Sequence, residues 1–274
     1  MRPVDIVQPL EVGQVRIKQK QVEGWGPILV RHNRAIFSRR WTPPLPVYCW
    51  VIDHPEGTIL VDTGPTPTDE WWHPKYHYYF YFAYRTRVGP EFGLVDGLEA
   101  HGFDVCDIDA IILSHCHADH GEGLEFIPDV PVYLEENENR YARSLRGRFW
   151  GSHPSCTPSR SREAPFSLSD GPVGPFDRSY EFPDYRGVSI VPTHGHTPYH
   201  CSVVVEGEGP TVLIGSDACL SLDQLDTHQP DGVAVRGRAG RKTLERIDRW
   251  RNEEEVIVLP SHDRRGYDAL MEAR

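Results

Sequence analysis

The stretch Ser114-His115-Cys116-His117-Ala118-Asp119-His120 places four metal-ligating side chains within six residues. It follows directly on Ala110–Leu113, a short apolar run that reads as a buried strand. A loop leaving that strand can turn His115 and His117 toward one ion and Asp119 and His120 toward a neighbour. Imidazole and carboxylate suit zinc and related first-row ions, at roughly 2.0–2.2 Å. The alternative, a chance cluster of surface histidines, fits lone histidines and is a poor account of this spacing.

Four ligands on one loop cannot close two coordination spheres, so other parts of the chain must contribute. His196 follows the run Val188–Val191 in Thr193-His194-Gly195-His196-Thr197-Pro198. Asp217 follows Thr211–Ile214 in Gly215-Ser216-Asp217, and His262 follows Glu255–Leu259 in Pro260-Ser261-His262-Asp263. Each lies just beyond a predicted strand, where α/β proteins often build their sites.

His115-x-His117-x-Asp119-His120, then His196, Asp217 and His262 in that order, resembles the ligand set of the metallo-β-lactamase superfamily. Val61-Asp62-Thr63-Gly64 matches the early D-T-G turn of that superfamily, and His196-Thr197-Pro198-Tyr199-His200 is similar to its H-T-P-G-H segment. The matches run from Asp62 to His262 and cover most of the chain. The resemblance implies an αββα sandwich, two mixed β-sheets packed together with helices outside and the metals at one edge. By position it implies His115, His117 and His196 on a first metal, Asp119, His120 and His262 on a second, and Asp217 bridging them, with Asp119 also catalytic. Order and ending look most like the N-acyl homoserine lactonase branch, which implies hydrolysis of a lactone or related ester by a hydroxide shared between two zinc ions. Iron, cobalt and manganese accept the same ligands.

Chemistry supports hydrolysis in general terms, since two cations ~3.5–4 Å apart generate a nucleophile near neutral pH and polarise a carbonyl. Asp62 is expected to hold the ligand loop through hydrogen bonds, because ligating imidazoles need a partner on their other nitrogen. A plain turn aspartate before Gly64 is the competing account. The chain departs from the lactonase pattern three residues after Asp217, where a tyrosine is expected and Leu220 stands. Leucine donates no hydrogen bond, so another group does this work or the substrate differs. Tyr199 is a candidate substitute by its closeness to His196, although packing beside the turn accounts for it as well. His194 reads as a supporting or surface residue.

The remaining chain supports one domain over 1–274, with no repeat or low-complexity linker. Thr58–Val61 and Ser202–Val205 read as further strands, and Glu206-Gly207-Glu208-Gly209-Pro210 as a hairpin connection. Phe92, Val95 and Leu98, and Leu244, Ile247 and Trp250 within Lys242–Arg251, recur three apart and give two helices one apolar face each. Trp71–Tyr84, nine of its fourteen residues aromatic, and Ser144–Gly174 read as long loops. Trp71, Trp72 and Tyr76 are expected to line a substrate pocket or a homodimer interface, both of which favour such residues.

A formal charge of -11 without a run of basic residues argues against nucleic acid as a partner. No segment approaches the ~18 apolar residues of a membrane span, and Met1–Lys20 lacks a signal-peptide core, so a cytoplasmic enzyme acting on a small carbonyl compound is expected. The six cysteines form no C-x-x-C pair and read as free thiols. Three other functions stay open. A mononuclear iron persulfide dioxygenase of this superfamily shares an H-x-H-A-D-H stretch. A glyoxalase II type thioesterase usually has a C-terminal helical domain, which is not expected in the 57 residues after Asp217. A metal-stabilised binding protein is the non-catalytic alternative.

Overall fold

The computed structural model describes residues 1–24, 26–72, 82–89 and 92–274, and only the backbone over 68–72. Thirteen strands among them form two sheets: β1 (Val7–Ile17), β2 (Leu45–His54), β3 (Gly57–Val61), β4 (Thr68–Trp72), β5 (Tyr84–Val88), β6 (Ile108–Ile112), β7 (Val132–Glu135), β8 (Glu163–Phe166), β9 (Tyr180–Glu181), β10 (Val188–Pro192), β11 (Cys201–Val205), β12 (Thr211–Ser216) and β13 (Val256–Pro260). The first sheet runs β4-β5-β1-β2-β3-β6-β7-β8 and the second β13-β12-β11-β10-β9. Both are mixed: β2–β3 is antiparallel and β3–β6 parallel in one, and β11–β12 is antiparallel and β12–β13 parallel in the other.

Alternation along the strands makes the layers. In β2, Tyr48, Trp50 and Ile52 join Ile59, Val61 and Ile112 against Ile190, Val203 and Ile214 of the second sheet. Their neighbours Val47, Cys49 and Val51 point to the opposite face, where Leu94 and Leu98 cover them. Successive strand side chains alternate between faces, so a strand buried on both sides reads as a continuous apolar run. On the second sheet's outer face, Val191, Val204, Leu213 and Val258 pack against Leu244, Ile247 and Trp250. The order is therefore helix, sheet, sheet, helix, which is the expected αββα sandwich.

The three-residue spacing locates both helices, α1 (Leu94–Ala100) and α2 (Gly237–Glu253), but α1 begins after Phe92 and buries Leu94 and Leu98 in place of Phe92 and Val95. Glu206–Pro210 joins the antiparallel pair β11–β12, as a hairpin must. Two long-loop assignments need correction. Ser144–Gly174 contains the helix Leu145–Phe149, opened by the Ser144 hydroxyl accepting from the Gly147 amide at 3.0 Å, and the edge strand β8. Elements of four or five residues are too short to display a period. The ends of Trp71–Tyr84 are the strands β4 and β5, and 73–81 lies outside the described residues. The long strand β1 was missed because a bulge between Glu11 and Gly13 breaks its alternation.

Candidate metal centre

Strand ends carry every proposed ligand. β6 runs through Leu113 and Ser114 to His115, and His117 opens the single turn Ala118–Gly121 that holds Asp119 and His120. His196 follows β10, Asp217 follows β12, and His262 follows β13. All seven side chains are buried, from 0% exposure at His115 to 8% at His117. The fold brings all of them together.

Three trios of ligand atoms lie within 4.8 Å of one another: His115, His117 and His196; His115, His120 and Asp217; Asp119, His120 and His262. In the first, His117 Nδ1 is 3.0 Å from His115 Nε2 and 2.9 Å from His196 Nε2. Asp217 stands between the two halves. Its Oδ2 is 3.3 Å from His196 Nε2, and its Oδ1 is 3.4 Å from His120 Nε2 and 3.3 Å from His262 Nε2. His262 Nε2 also lies 3.4 Å from Asp119 Oδ2.

This donor set fits two first-row divalent ions. His120 Nε2 and Asp217 Oδ1 are buried with no hydrogen bond among the described residues, a costly arrangement for polar atoms that a cation would relieve. The remote ring nitrogens have their own partners. His115 Nδ1 donates to Ser114 Oγ at 3.0 Å, His120 Nδ1 to Asp62 Oδ2 at 2.8 Å, His196 Nδ1 to Asp231 Oδ2 at 3.1 Å and His262 Nδ1 to the Pro46 carbonyl at 2.9 Å. Such partners fix the tautomer and turn each Nε2 inward.

Asp62 is the hub of these contacts. Fully buried at a left-handed φ of 59°, it accepts from the Ser114 amide and hydroxyl, from the Ser216 hydroxyl at 2.9 Å and from His120. The backbone around it is close-packed: Gly64 adopts φ 73°, and a Cβ there would meet Val12 Cγ2 at 2.5 Å. Asp231 was not found from sequence, because in Pro230-Asp231-Gly232 it reads only as a turn. No local pattern signals that this turn packs beside His196. Asp231→Ala is expected to weaken metal binding about 10- to 100-fold, as loss of such partners typically does. A competition titration against a chromophoric chelator measures this, and unchanged affinity would remove Asp231 from the centre.

Charge separates His115 and His117 from His120, His196 and His262, with His196 raised against burial by Asp231 and Asp217. Burial, reinforced by His196, lowers the His117 pKa to about 3, and burial holds His115 well below its usual range. Burial acts on His262 in the same direction, but Asp217 and Asp119 overturn it and raise the pKa to about 10. Asp217, Asp62 and Asp119 likewise raise His120 despite burial. Below these raised values the imidazoles hold protons that an entering cation must displace, so affinity rises with pH. Zinc loading in a weakly buffered solution at pH 7 should release protons, and the apparent affinity should tighten about tenfold per pH unit for each proton displaced. A pH-independent affinity between pH 6 and 8 would contradict this charge pattern.

Residues 42–262 match the profile of the metallo-β-lactamase superfamily. The chain belongs to that superfamily. Among curated members, it is 23% identical over 224 residues to the N-acyl homoserine lactonase AttM of Rhizobium radiobacter, covering 80% of this chain and 82% of the relative. It is 27% identical over 226 residues to an N-acyl homoserine lactonase of Bacillus cereus, with the same coverage. Among solved structures, a B. thuringiensis AiiA mutant with N-decanoyl-L-homoserine bound superposes with a TM-score of 0.75 at 21% identity, covering 96% of this chain and 95% of that one. AidC, a dizinc quorum-quenching lactonase, gives 0.64 at 14% identity, covering 94% and 87%.

This centre opens on a cavity. His117, Asp119, His196, Asp217 and His262 meet walls formed by Val15, Ile17, Gln21, His32, Tyr84, Trp150, Leu220 and Val233. Leu220 is in place against the cavity. Tyr199 does not line it: its ring packs near Tyr141 and His194 and beneath the Arg236 guanidinium. The side chains of Trp71 and Trp72 are not described, and Tyr76 lies outside the described residues. The walls drawn from β1 and β5, Tyr84 among them, went unnoticed in the sequence because no motif marks them. No helix among the described residues is long and apolar enough to cross a membrane.

Proposed function

We propose that this chain is a metal-dependent hydrolase that opens lactone or related ester bonds at a dinuclear centre, with zinc the favoured ion. The observation that carries this reading is the convergence of seven buried ligands, in two halves joined by Asp217, beneath a mostly apolar cavity. His115, His117 and His196 would hold one ion, Asp119, His120 and His262 the other, and Asp217 both. Two divalent ions so held lower the pKa of water and polarise an ester carbonyl. The other steps belong to the protein.

Val15, Ile17, Val233, Leu220 and Trp150 offer apolar surface to an acyl or alkyl group and exclude water from it. Asp119, whose carboxylate borders the cavity, takes a proton from the attacking water and returns it to the departing oxygen as the acyl–oxygen bond breaks. Leu220 gives the substrate oxygen no donor, whereas Tyr84, 3% exposed, brings a phenol to the same cavity. We assign it the hydrogen bond to the substrate. Tyr84→Phe should lower kcat about 10- to 100-fold with little change in KM, the signature of a contact made in the transition state. An unchanged kcat would remove Tyr84 from this role.

The function is tested by counting metal per chain and assaying the loaded enzyme against lactones, esters, thioesters and β-lactams. Near two ions per chain with lactone or ester turnover is expected. One iron per chain with oxygen uptake on a persulfide, or no turnover with any substrate, would overturn the proposal. Turnover of N-acyl homoserine lactones in particular would make quorum quenching its role.

A further inference from the structure

We propose that a second site, behind the His196 loop, binds a phosphate or phosphate monoester. A cavity of about 530 Å³ lies between the segment around Ile28 and Arg31 and the start of α2, with Gly237, Arg238, Arg241 and Pro230 on its other walls. Three of its side chains are cationic, and no carboxylate lines it among the described residues. In a chain with a formal charge of -11 this is a local reversal of sign.

Two independent features face this cavity. The first is the start of α2, a seventeen-residue helix with no side-chain cap and no acid in its first turn. The Arg236 amide donates to Gly195 and the Gly240 amide to Arg236, while those of Gly237, Arg238 and Ala239 donate to no described residue. Amides at a helix start carry a partial positive charge and ordinarily attract an acid. Here the first five helical residues carry Arg238 and Arg241 instead.

The second is Arg31. It is only 4% exposed, donates one hydrogen bond, from Nη2 to the Ala234 carbonyl at 2.6 Å, and leaves Nε buried without a partner. Its guanidinium lies against the first helical residue, since a Cβ on Gly237 would come within 2.5 Å of Nη1. A buried cation against the positive end of a helix, unpaired with any described carboxylate, is electrostatically unfavourable until an anion joins it. Asp231 is the charge that acts on it at longer range, and that carboxylate is committed to His196. A tetrahedral oxyanion matches what is offered: the fork of a guanidinium, free helix amides and two flanking arginines. Ile28 and Pro230 add apolar surface beside it for the organic part of a monoester.

Binding there would be felt at the metal centre. Gly195 touches Gly240 so closely that a Cβ on Gly195 would meet its Cα at 2.3 Å, and the Val235 amide donates to the His196 carbonyl at 3.0 Å.

The test is a titration of the metal-loaded, ¹⁵N-labelled chain with inorganic phosphate and, separately, with phenyl phosphate, at ionic strength held constant with chloride. Saturable shifts of the Gly237 and Arg238 amides, which border the cavity, and of the Arg31 Nε–H are expected. Arg31→Met should abolish them, and the double variant R238A/R241A should weaken binding about tenfold or more. Tighter binding of phenyl phosphate identifies a monoester as the ligand, and equal binding identifies free phosphate. Shifts confined to residues around His115–His120, or unchanged affinity in R238A/R241A, would overturn the proposal. If Arg31→Met fails to fold, the double variant decides alone. Because turnover is not the readout, this result stands apart from whether the metal centre hydrolyses lactones.

Discussion

Asp119→Ala should cut turnover by about 10³-fold or more, equivalent to ~4 kcal/mol of transition-state stabilisation, while leaving the sandwich folded. The side chain has two duties in the proposed mechanism, as ligand and as proton carrier, and both end together. Its carboxylate lies 3.9 Å from His120 Nε2 and 3.4 Å from His262 Nε2. It borders the cavity at the strand ends and takes no part in the apolar layer between the sheets. The circular dichroism spectrum should therefore match the parent's. Loss of an interaction made in the transition state lowers kcat and kcat/KM together. His120→Ala should behave alike, and turnover near the parent's in either variant would remove the proposed mechanism.

Asp62→Ala should be the most damaging change to stability near the site, at about 3–5 kcal/mol. Four donors lose their acceptor at once: the Ser114 amide and hydroxyl, the Ser216 hydroxyl and His120 Nδ1. All are buried, so water cannot replace the carboxylate without opening the core. Alanine must also adopt the φ of 59° that aspartate tolerates better. At ~2–4 °C per kcal/mol for a domain of this size, the melting temperature should fall by roughly 6–20 °C. Calorimetry on metal-free protein separates this from lost metal binding, and a fall below about 1 kcal/mol would show that Asp62 is an ordinary turn residue.

How much of this could be read beforehand varied with distance along the chain. Ala110–Leu113 and its neighbours are buried on both faces, so they appear as continuous apolar runs, and the ligands follow them within a few residues. Leu244, Ile247 and Trp250 announce a helix because their partner surface is a sheet met along a single stripe. The strand β1 was hidden by its bulge, and with it the wall residues Val15 and Ile17. Tyr199 looked promising because it neighbours His196 in the chain, but the turn directs its ring away from the cavity. Tyr84 was overlooked for the converse reason, standing far from every ligand in sequence.

The primary structure was enough to indicate the superfamily and the layered architecture, and to name the seven side chains that the fold brings together. Those properties rest on residue type and short-range spacing. Pairing between strands and packing between sheets settled the rest: that Asp62 holds His120 and Ser114, that Asp231 backs His196, that Tyr84 and Leu220 share one cavity, and that Arg31 lies buried on a helix start. Such contacts join residues dozens to hundreds of positions apart. Their geometry depends on strand register, which a bulge shifts by one residue and no local pattern records.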